Sequence, residues 1–257
     1  MVNDGSEDDS LNVMNQFEDD TLSCVHNKLN RGYGSAIKTG IRLAKTEYVV
    51  TVDGDGQHRI EDIFNLYQVM KETDADMIVG GRFHQENSTL MRGLGKSVIR
   101  FFVRLLIKVP IYDINSGMKI YRSELAKKYI RLAPDNMAFS DIMTIVFVYF
   151  GRLVKEVPIK INKRIAGKSS INYKTALDTL KEIMFIATVF APYKFFSSLA
   201  ILLLLISIAW GLPFIIAGKG VTSATASGIL VAVLLWCLGV IAQLISGIRR
   251  DLVENSN

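Results

Sequence analysis

The chain has 257 residues, 49% of them hydrophobic, and a formal net charge of +5, with a sequence pI of about 9.1 and a mean hydropathy of +0.25. That length allows one good-sized domain plus an appendage, and the hydropathy is high for a domain that lives only in water. The charge distribution argues against a nucleic-acid binder: the first twenty residues hold seven acidic residues and no Lys or Arg, while many basic residues flank the apolar C-terminal region, as suits an anionic membrane surface.

The opening "MVNDGSEDDS" reads as the last residues of a strand followed by a tight acidic turn, since Asn-Asp-Gly is turn chemistry. It has no apolar stretch of the signal-peptide kind. Cys24 and Cys237 permit no disulfide framework and no metal spacing, which fits a reducing compartment. Farther on, "GSAIKTGIRLAK" and "IEDIFNLYQVMKE" space their apolar residues as helices do, and "EYVVTVD" and "DADMIVGG" read as buried strands. A helix is predicted from Leu90 to Lys108. "SELAKKYIRL" and "FSDIMTIVFVYF" are helical, and "VKEVPIKIN" is a strand. This alternation predicts a layered α/β domain with a mostly parallel sheet, whose ligands bind at the carboxyl ends of strands.

"TALDTLKEIMFIATVF" (residues 175–190) has helical spacing and either lies flat on a membrane surface or packs on the domain. From Phe195 to Ile248 the only charged residue is Lys219. Two runs there, split by "AGKGVTSATASG", each exceed the ~20 apolar residues that cross a bilayer core. Lys168, Lys174, Lys181 and Lys194 precede this hairpin, and Arg249 and Arg250 follow it. The bias of positive charge toward the inside then puts the N-terminal domain and both termini in the cytoplasm, at the cell membrane.

"VVTVDGDGQH" carries the most chemistry. Asp53, Asp55 and Gln57 alternate past the end of a strand, and Gly54 and Gly56 let the backbone turn tightly. Three oxygen-bearing side chains at such spacing can converge on one hard cation, Mg²⁺ or Mn²⁺, which would offset charge on a diphosphate. An exposed turn also often contains two Asp residues. His58 adjoins this set, whereas His26 and His84 lie in polar stretches.

Six stretches in order, "VNDGSEDDS", "NRGYGSAIKTGI", "VDGDGQH", "GGRF", "DINSGMKIYR" and "EVPIKINKRIAGKSS", resemble the family 2 glycosyltransferases, in the branch of dolichyl-phosphate mannosyltransferases and other polyprenyl-phosphate sugar synthases. The resemblance implies a GT-A-like, Rossmann-like α/β domain over 1–170, an interfacial helix or linker over 171–194, and a two-helix transmembrane hairpin over 195–248. It implies that Asp4 holds the nucleotide base or ribose, and that Asn30, Arg31 and Gly32 line the same pocket. Asp53, Asp55 and Gln57 would hold the metal and diphosphate, and Arg82 would face the acceptor phosphate. Asp113, Ser116 and Gly117 would form a wall near the transferred sugar. Arg164, Lys168 and Ser169 would close over the donor phosphates. Asp55, Asp113 and Asp141 form the implied catalytic set; Asp141 acts as a base, orients the acceptor, or caps the helix that follows it.

The implied partners are a GDP- or UDP-linked sugar, a polyprenyl phosphate (dolichyl or undecaprenyl) and the membrane, with a homo-oligomer as one arrangement and no nucleic acid. The implied reaction is inverting transfer of one hexose. The Q-x-x-R-W motif of processive relatives is absent, since Trp210 and Trp236 both fall within the apolar runs. Family members begin with a strand and helix for which this chain has no counterpart, so an N-terminal truncation is expected. On that expectation an inactive remnant or a partner-binding subunit is the alternative.

Overall fold

A computed structural model of the chain describes residues 1–54, 56–82, 109–162, 181 and 184–255. The expected helix over 90–108, the closing loop with Arg164, Lys168 and Ser169, and Asp55 lie outside the described residues, as does half of the segment 175–190, of which 181 and 184–190 are helical. The described residues form two compact units, one up to residue 162 and one from 181 onward.

The first unit runs β1 (Val2–Asn3), α1 (Ser10–Asn15), β2 (Val25–His26), α2 (Tyr33–Leu43), β3 (Tyr48–Thr51), α3 (Ile60–Thr73), β4 (Met77–Gly81), β5 (Lys119–Arg122), α4 (Ser123–Tyr129), a 3₁₀ turn (Ile130–Leu132), α5 (Phe139–Tyr149) and β6 (Val154–Pro158). β1 and β2 pair in parallel, and the other four strands form one sheet in the order β3-β5-β4-β6. β5 runs antiparallel to both its neighbours, while β4 and β6 are parallel. Three of the four strands therefore point one way, as expected of a mostly parallel sheet, with β5 reversed between two of them.

Alternation along the strands builds two cores. Ile78 and Ile120 face α3, where they meet Leu66, Met70, Met118 and Ile159. Their neighbours Lys119 and Tyr121 face the other way, and Tyr121 packs against Phe147 of α5. Enclosing a side chain such as Leu66 or Met70, both fully buried, contributes about 1.5–3 kcal/mol each. α3 carries Glu61 and Asp62 in its first turn, where they oppose the helix dipole, and stops at Asp74 in the left-handed region (φ 48°). Arg122 at the end of β5 reaches that stop, 2.6 Å from Asp74.

The described residues of the second unit include two long helices, α6 (Pro192–Ile216) and α7 (Ser223–Asn255). Both are long and apolar enough to cross a membrane, with mean hydropathies of 2.7 and 2.6. Their large apolar residues, among them Leu202, Ile206, Trp210, Leu234, Ile241 and Leu244, point outward and are exposed. The residues these helices bury are mostly small. On α7 these are Thr225, Ala232, Gly239, Ser246 and Val253, a strict seven-residue repeat, and on α6 they include Ala200, Ser207 and Gly211. Small residues along one seam let two backbones approach closely where lipid offers no competing hydrophobic gain.

Candidate active site

Three chain segments meet at one edge of the sheet because of strand direction. β3 and β4 run the same way, so Asp53 and Arg82 leave the sheet at the same edge. β5 runs the opposite way, which brings the loop before it, Asp113 to Gly117, to that edge too. Thr51 Oγ1 donates to the Gly117 carbonyl at 3.0 Å and fastens the loop to β3.

Asp53 is held on several sides. Tyr33 OH donates to its Oδ1 at 2.9 Å. His58 Nε2 stands 3.7 Å from its Oδ2, and the buried His58 Nδ1 has no hydrogen-bond partner among the described residues. Gly117 closes the remaining side so tightly that a Cβ there would fall 2.1 Å from Asp53 Oδ2. His58, then the Tyr33 hydrogen bond and the charge of Arg82, hold Asp53 below the ordinary carboxylate range although burial opposes them. The space beside Gly54 is open. An ionised carboxylate on a turn with room beside it suits a hard divalent cation. Among the described residues no three His, Cys, Asp or Glu side chains converge for one; Asp55 lies outside them, and Gln57 is fixed through its carbonyl, which accepts from Asn162 N at 2.9 Å.

Arg82 and Asp113 form a two-pronged ion pair. Arg82 Nε donates to Asp113 Oδ2 at 2.5 Å and Nη2 to Oδ1 at 2.8 Å, and Nη2 also reaches the Asn115 carbonyl at 3.0 Å. The fork matches the carboxylate plane, and the Asp113 bonds raise the guanidinium's already high pKa. Glu156 of β6 positions the start of the same loop by accepting the amide protons of Tyr112 and Asp113, at 2.6 and 2.8 Å.

Asp4 organises a second cluster at the end of β1. Asn27 Nδ2 donates to its Oδ1 at 2.7 Å, and the amides of Arg31 and Gly32 donate to Oδ2 at 3.1 and 2.6 Å. Burial works against this carboxylate, but the Asn27 bond and the two amides outweigh it and keep its pKa low. Asn30 Oδ1 accepts from Gly32 N as well. Gly32 has φ of 100°, open to glycine but strained for other residues, and a Cβ there would meet the Asp135 carbonyl at 2.7 Å. Beside this cluster lies a cavity of about 450 Å³ whose lining includes Asn3, Gly5, Ser6, His26, Asn27 and Asn30.

Beneath the Asp53 edge sit buried groups. Ser116 is fully enclosed, its hydroxyl on the Met118 carbonyl at 3.3 Å. Asp141 is buried within the first turn of α5, three residues past the N-cap residue Ala138, whose amide donates to Asn136 Oδ1 at 2.9 Å. In that turn the Asp141 charge complements the helix N-terminus. Burial, and the negative charges of Asp53 and Asp141, push the Tyr33 phenol well above its ordinary pKa.

Thus Asp53, Arg82, Asp113, Ser116, Gly117 and Asp141 gather around one edge, and Asp4, Asn30, Arg31 and Gly32 around the β1 turn. Sequence reasoning gave no role to Tyr33, Glu156 or Lys119, although all three stand within quoted motifs. The one available signal was Lys119, a charged residue between the apolar Met118 and Ile120.

Residues 1–130 match the sequence profile of glycosyl transferase family 2. A dodecaprenyl-phosphate galacturonate synthase of Rhizobium johnstonii is 25% identical over 267 aligned positions, covering 100% of this chain and 78% of that protein. An uncharacterised protein of Methanocaldococcus jannaschii is 32% identical over 168 residues, 62% of this chain and 68% of that one. Among solved structures, glucosyl-3-phosphoglycerate synthase from Mycobacterium tuberculosis, in complex with Mn²⁺, UDP-glucose and phosphoglyceric acid, shares the fold. Its TM-score is 0.54 at 13% identity, over 72% of this chain and 66% of that one. The profile match runs from β1 through α4 and takes in the strand ends that supply Asp4, Asp53, Arg82 and Gly117, so the chain belongs to glycosyl transferase family 2.

Proposed function

We propose that this glycosyltransferase moves a single hexose from a UDP- or GDP-linked sugar to a polyprenyl phosphate at the cytoplasmic face of a membrane, with inversion at the anomeric carbon. One observation carries the reading: the likeness to a dodecaprenyl-phosphate galacturonate synthase spans the whole chain, the site-bearing unit and both apolar helices included.

The residues divide the work as follows. The Asp4 cluster and its cavity receive the nucleoside. Asp53, with Asp55 and Gln57, holds Mg²⁺ or Mn²⁺, which when bound supplies positive charge to the departing diphosphate. Arg82, fixed by Asp113, offers a preorganised guanidinium to the acceptor phosphate. Arg164, Lys168 and Ser169 close over the donor phosphates. A lipid phosphate is already ionised at neutral pH, so the attack on the anomeric carbon asks little of a general base. Asp141 then orients the acceptor or takes up its last proton. The basic residues at both ends of the hairpin keep the catalytic unit and both termini on the cytoplasmic side.

The test is calorimetry of UDP and GDP on the detergent-solubilised chain with and without Mn²⁺, followed by an assay of hexose transfer to polyprenyl phosphate. Binding of one nucleotide only when Mn²⁺ is present, and transfer to the lipid, are expected. Asp55→Ala is expected to lower transfer by about 100-fold or more. Full transfer by that variant contradicts the metal role, and no transfer by the unaltered protein contradicts the acceptor.

A further inference from the structure

Lys119 opens β5, opposite Thr51 on one side and Val79 on the other, and its side chain is fully enclosed. Lysine is almost never enclosed without partners, because the ammonium must give up its hydration. Here Nζ donates to the Ile114 carbonyl at 2.8 Å and to the Ser140 carbonyl. Thr144 Oγ1 reaches the same two carbonyls, at 3.4 and 3.2 Å. Ser140 Oγ in turn donates to the Ser116 carbonyl at 3.3 Å.

These two carbonyls belong to different parts of the site. Ile114 follows Asp113, which grips Arg82, and Ser140 precedes Asp141 in the first turn of α5. One ammonium therefore ties the loop that carries the Asp113–Arg82 pair to the helix that carries Asp141. The charged groups around it are Asp141 on α5, Asp113 on the loop, Arg82 past β4 and Asp53 past β3.

We propose that Lys119 is a positioning residue of the transferase site, which sets the separation between Asp141 and the Asp113–Arg82 pair by holding the Ile114 and Ser140 carbonyls together. This rests on the reading of Asp141 and Arg82 as acceptor-facing groups. Burial pushes the ammonium down to about 8 while Asp141 and Asp113 pull it up. At neutral pH it stays charged, with Asp141 and Asp113 as its nearest opposite charges.

The experiment compares Lys119→Arg, Lys119→Met and Thr144→Val in the full-length detergent-solubilised protein. Donor affinity is measured by calorimetry with Mn²⁺, and kcat, KM for polyprenyl phosphate and the pH profile of kcat by transfer assay. Lys119→Met is expected to lower kcat about 100-fold, as a misplaced acceptor does, while the donor Kd stays within about threefold. Its acidic limb is expected to move to higher pH, because the site carboxylates around Lys119 have lost a neighbouring cation. Lys119→Arg is expected to keep kcat within about fivefold and to leave the limb in place, since it retains the charge with a different shape. Thr144→Val, which removes one neutral hydrogen bond, is expected to lower kcat about 3- to 10-fold with the limb unmoved. A Lys119→Met protein that binds donor normally and keeps the original kcat and pH profile overturns the inference. If that variant does not fold, unchanged kcat in Thr144→Val overturns it. An unaltered protein that transfers no hexose to polyprenyl phosphate overturns the acceptor reading, and this inference with it.

Discussion

Tyr33 donates its phenolic proton to Asp53 Oδ1 across 2.9 Å, so the first turn of α2 holds the first acid of the Asp-x-Asp pair. The Tyr33 pKa is raised by burial and by the neighbouring carboxylates, which keeps the phenol a donor over the working pH range. A partner that orients a metal-binding carboxylate typically changes metal affinity when lost. Tyr33→Phe keeps the ring and removes the donor. It is expected to raise the Mn²⁺ concentration for half-maximal transfer about 10-fold, with kcat at saturating Mn²⁺ little changed. A metal titration of the rate checks this, and an unshifted midpoint refutes it.

Gly117 and Gly54 flank the same aspartate with opposite consequences. A Cβ on Gly117 would fall 2.1 Å from Asp53 Oδ2, whereas one on Gly54 meets nothing within 4 Å. Gly117→Ala must displace the carboxylate or the loop. It is expected to lower kcat/KM about 100-fold and to cost about 1–3 kcal/mol of stability from overpacking. Gly54→Ala is expected to stay within about 0.5 kcal/mol of the unaltered protein. Thermal unfolding and transfer rates, measured side by side, separate the two.

Asp4 predicts a particular response to acid. Its carboxyl is held below the unfolded value of 3.8 by Asn27 and by the amides of Arg31 and Gly32, against the effect of burial. A depressed carboxylate adds stability that is fully present above the unfolded pKa and is lost as pH falls through the folded one. Melting temperature is therefore expected to drop below about pH 4, and Asp4→Asn should make that decline shallower. Asp4→Ala removes the acceptor of the Asn27 side chain and the Arg31 amide and leaves the Gly32 amide to Asn30 Oδ1, so nucleotide affinity should fall with stability. An identical acid profile in Asp4→Asn would show that Asp4 makes no contribution to it.

How much of this was legible depended on the range of the interaction. The period of α3, with Ile63, Leu66, Val69 and Met70 on one side, is local and visible in sequence. The apolar runs of the hairpin are visible for the same reason. β5 was not expected as a strand, because it is four residues long and its Lys119 occupies a buried position that sequence patterns assign to apolar residues. The seven-residue seam of α7 is written in small residues, which leave hardly any trace in hydropathy. Residue types at the site were legible, but their pairings were not. Arg82 was expected to face a phosphate, and its fork is set by Asp113, 31 residues away. Nothing in the local sequence of α2 says that Tyr33 will meet Asp53. Such contacts exist only once the sheet has brought the strand ends together.

Glu156 tests whether the Asp113 loop must be held from both ends. Its two carboxylate oxygens accept the Tyr112 and Asp113 amides, and Asp113 then fixes Arg82. Glu156→Gln keeps the shape but offers one acceptor and turns an NH₂ toward the other amide. A hydrogen bond to a charged group contributes about 1.5–3 kcal/mol, so losing one should lower the melting temperature by several degrees. If the loop also sets the direction of the Arg82 fork, kcat should fall about 10-fold with KM for the lipid phosphate raised, since both depend on where that guanidinium points. Lys155→Ala, at the exposed neighbouring position, serves as the control and should alter neither quantity. Lower stability with unchanged kcat in Glu156→Gln would confine Glu156 to the fold and leave the direction of Arg82 to Asp113 and the Asn115 carbonyl alone.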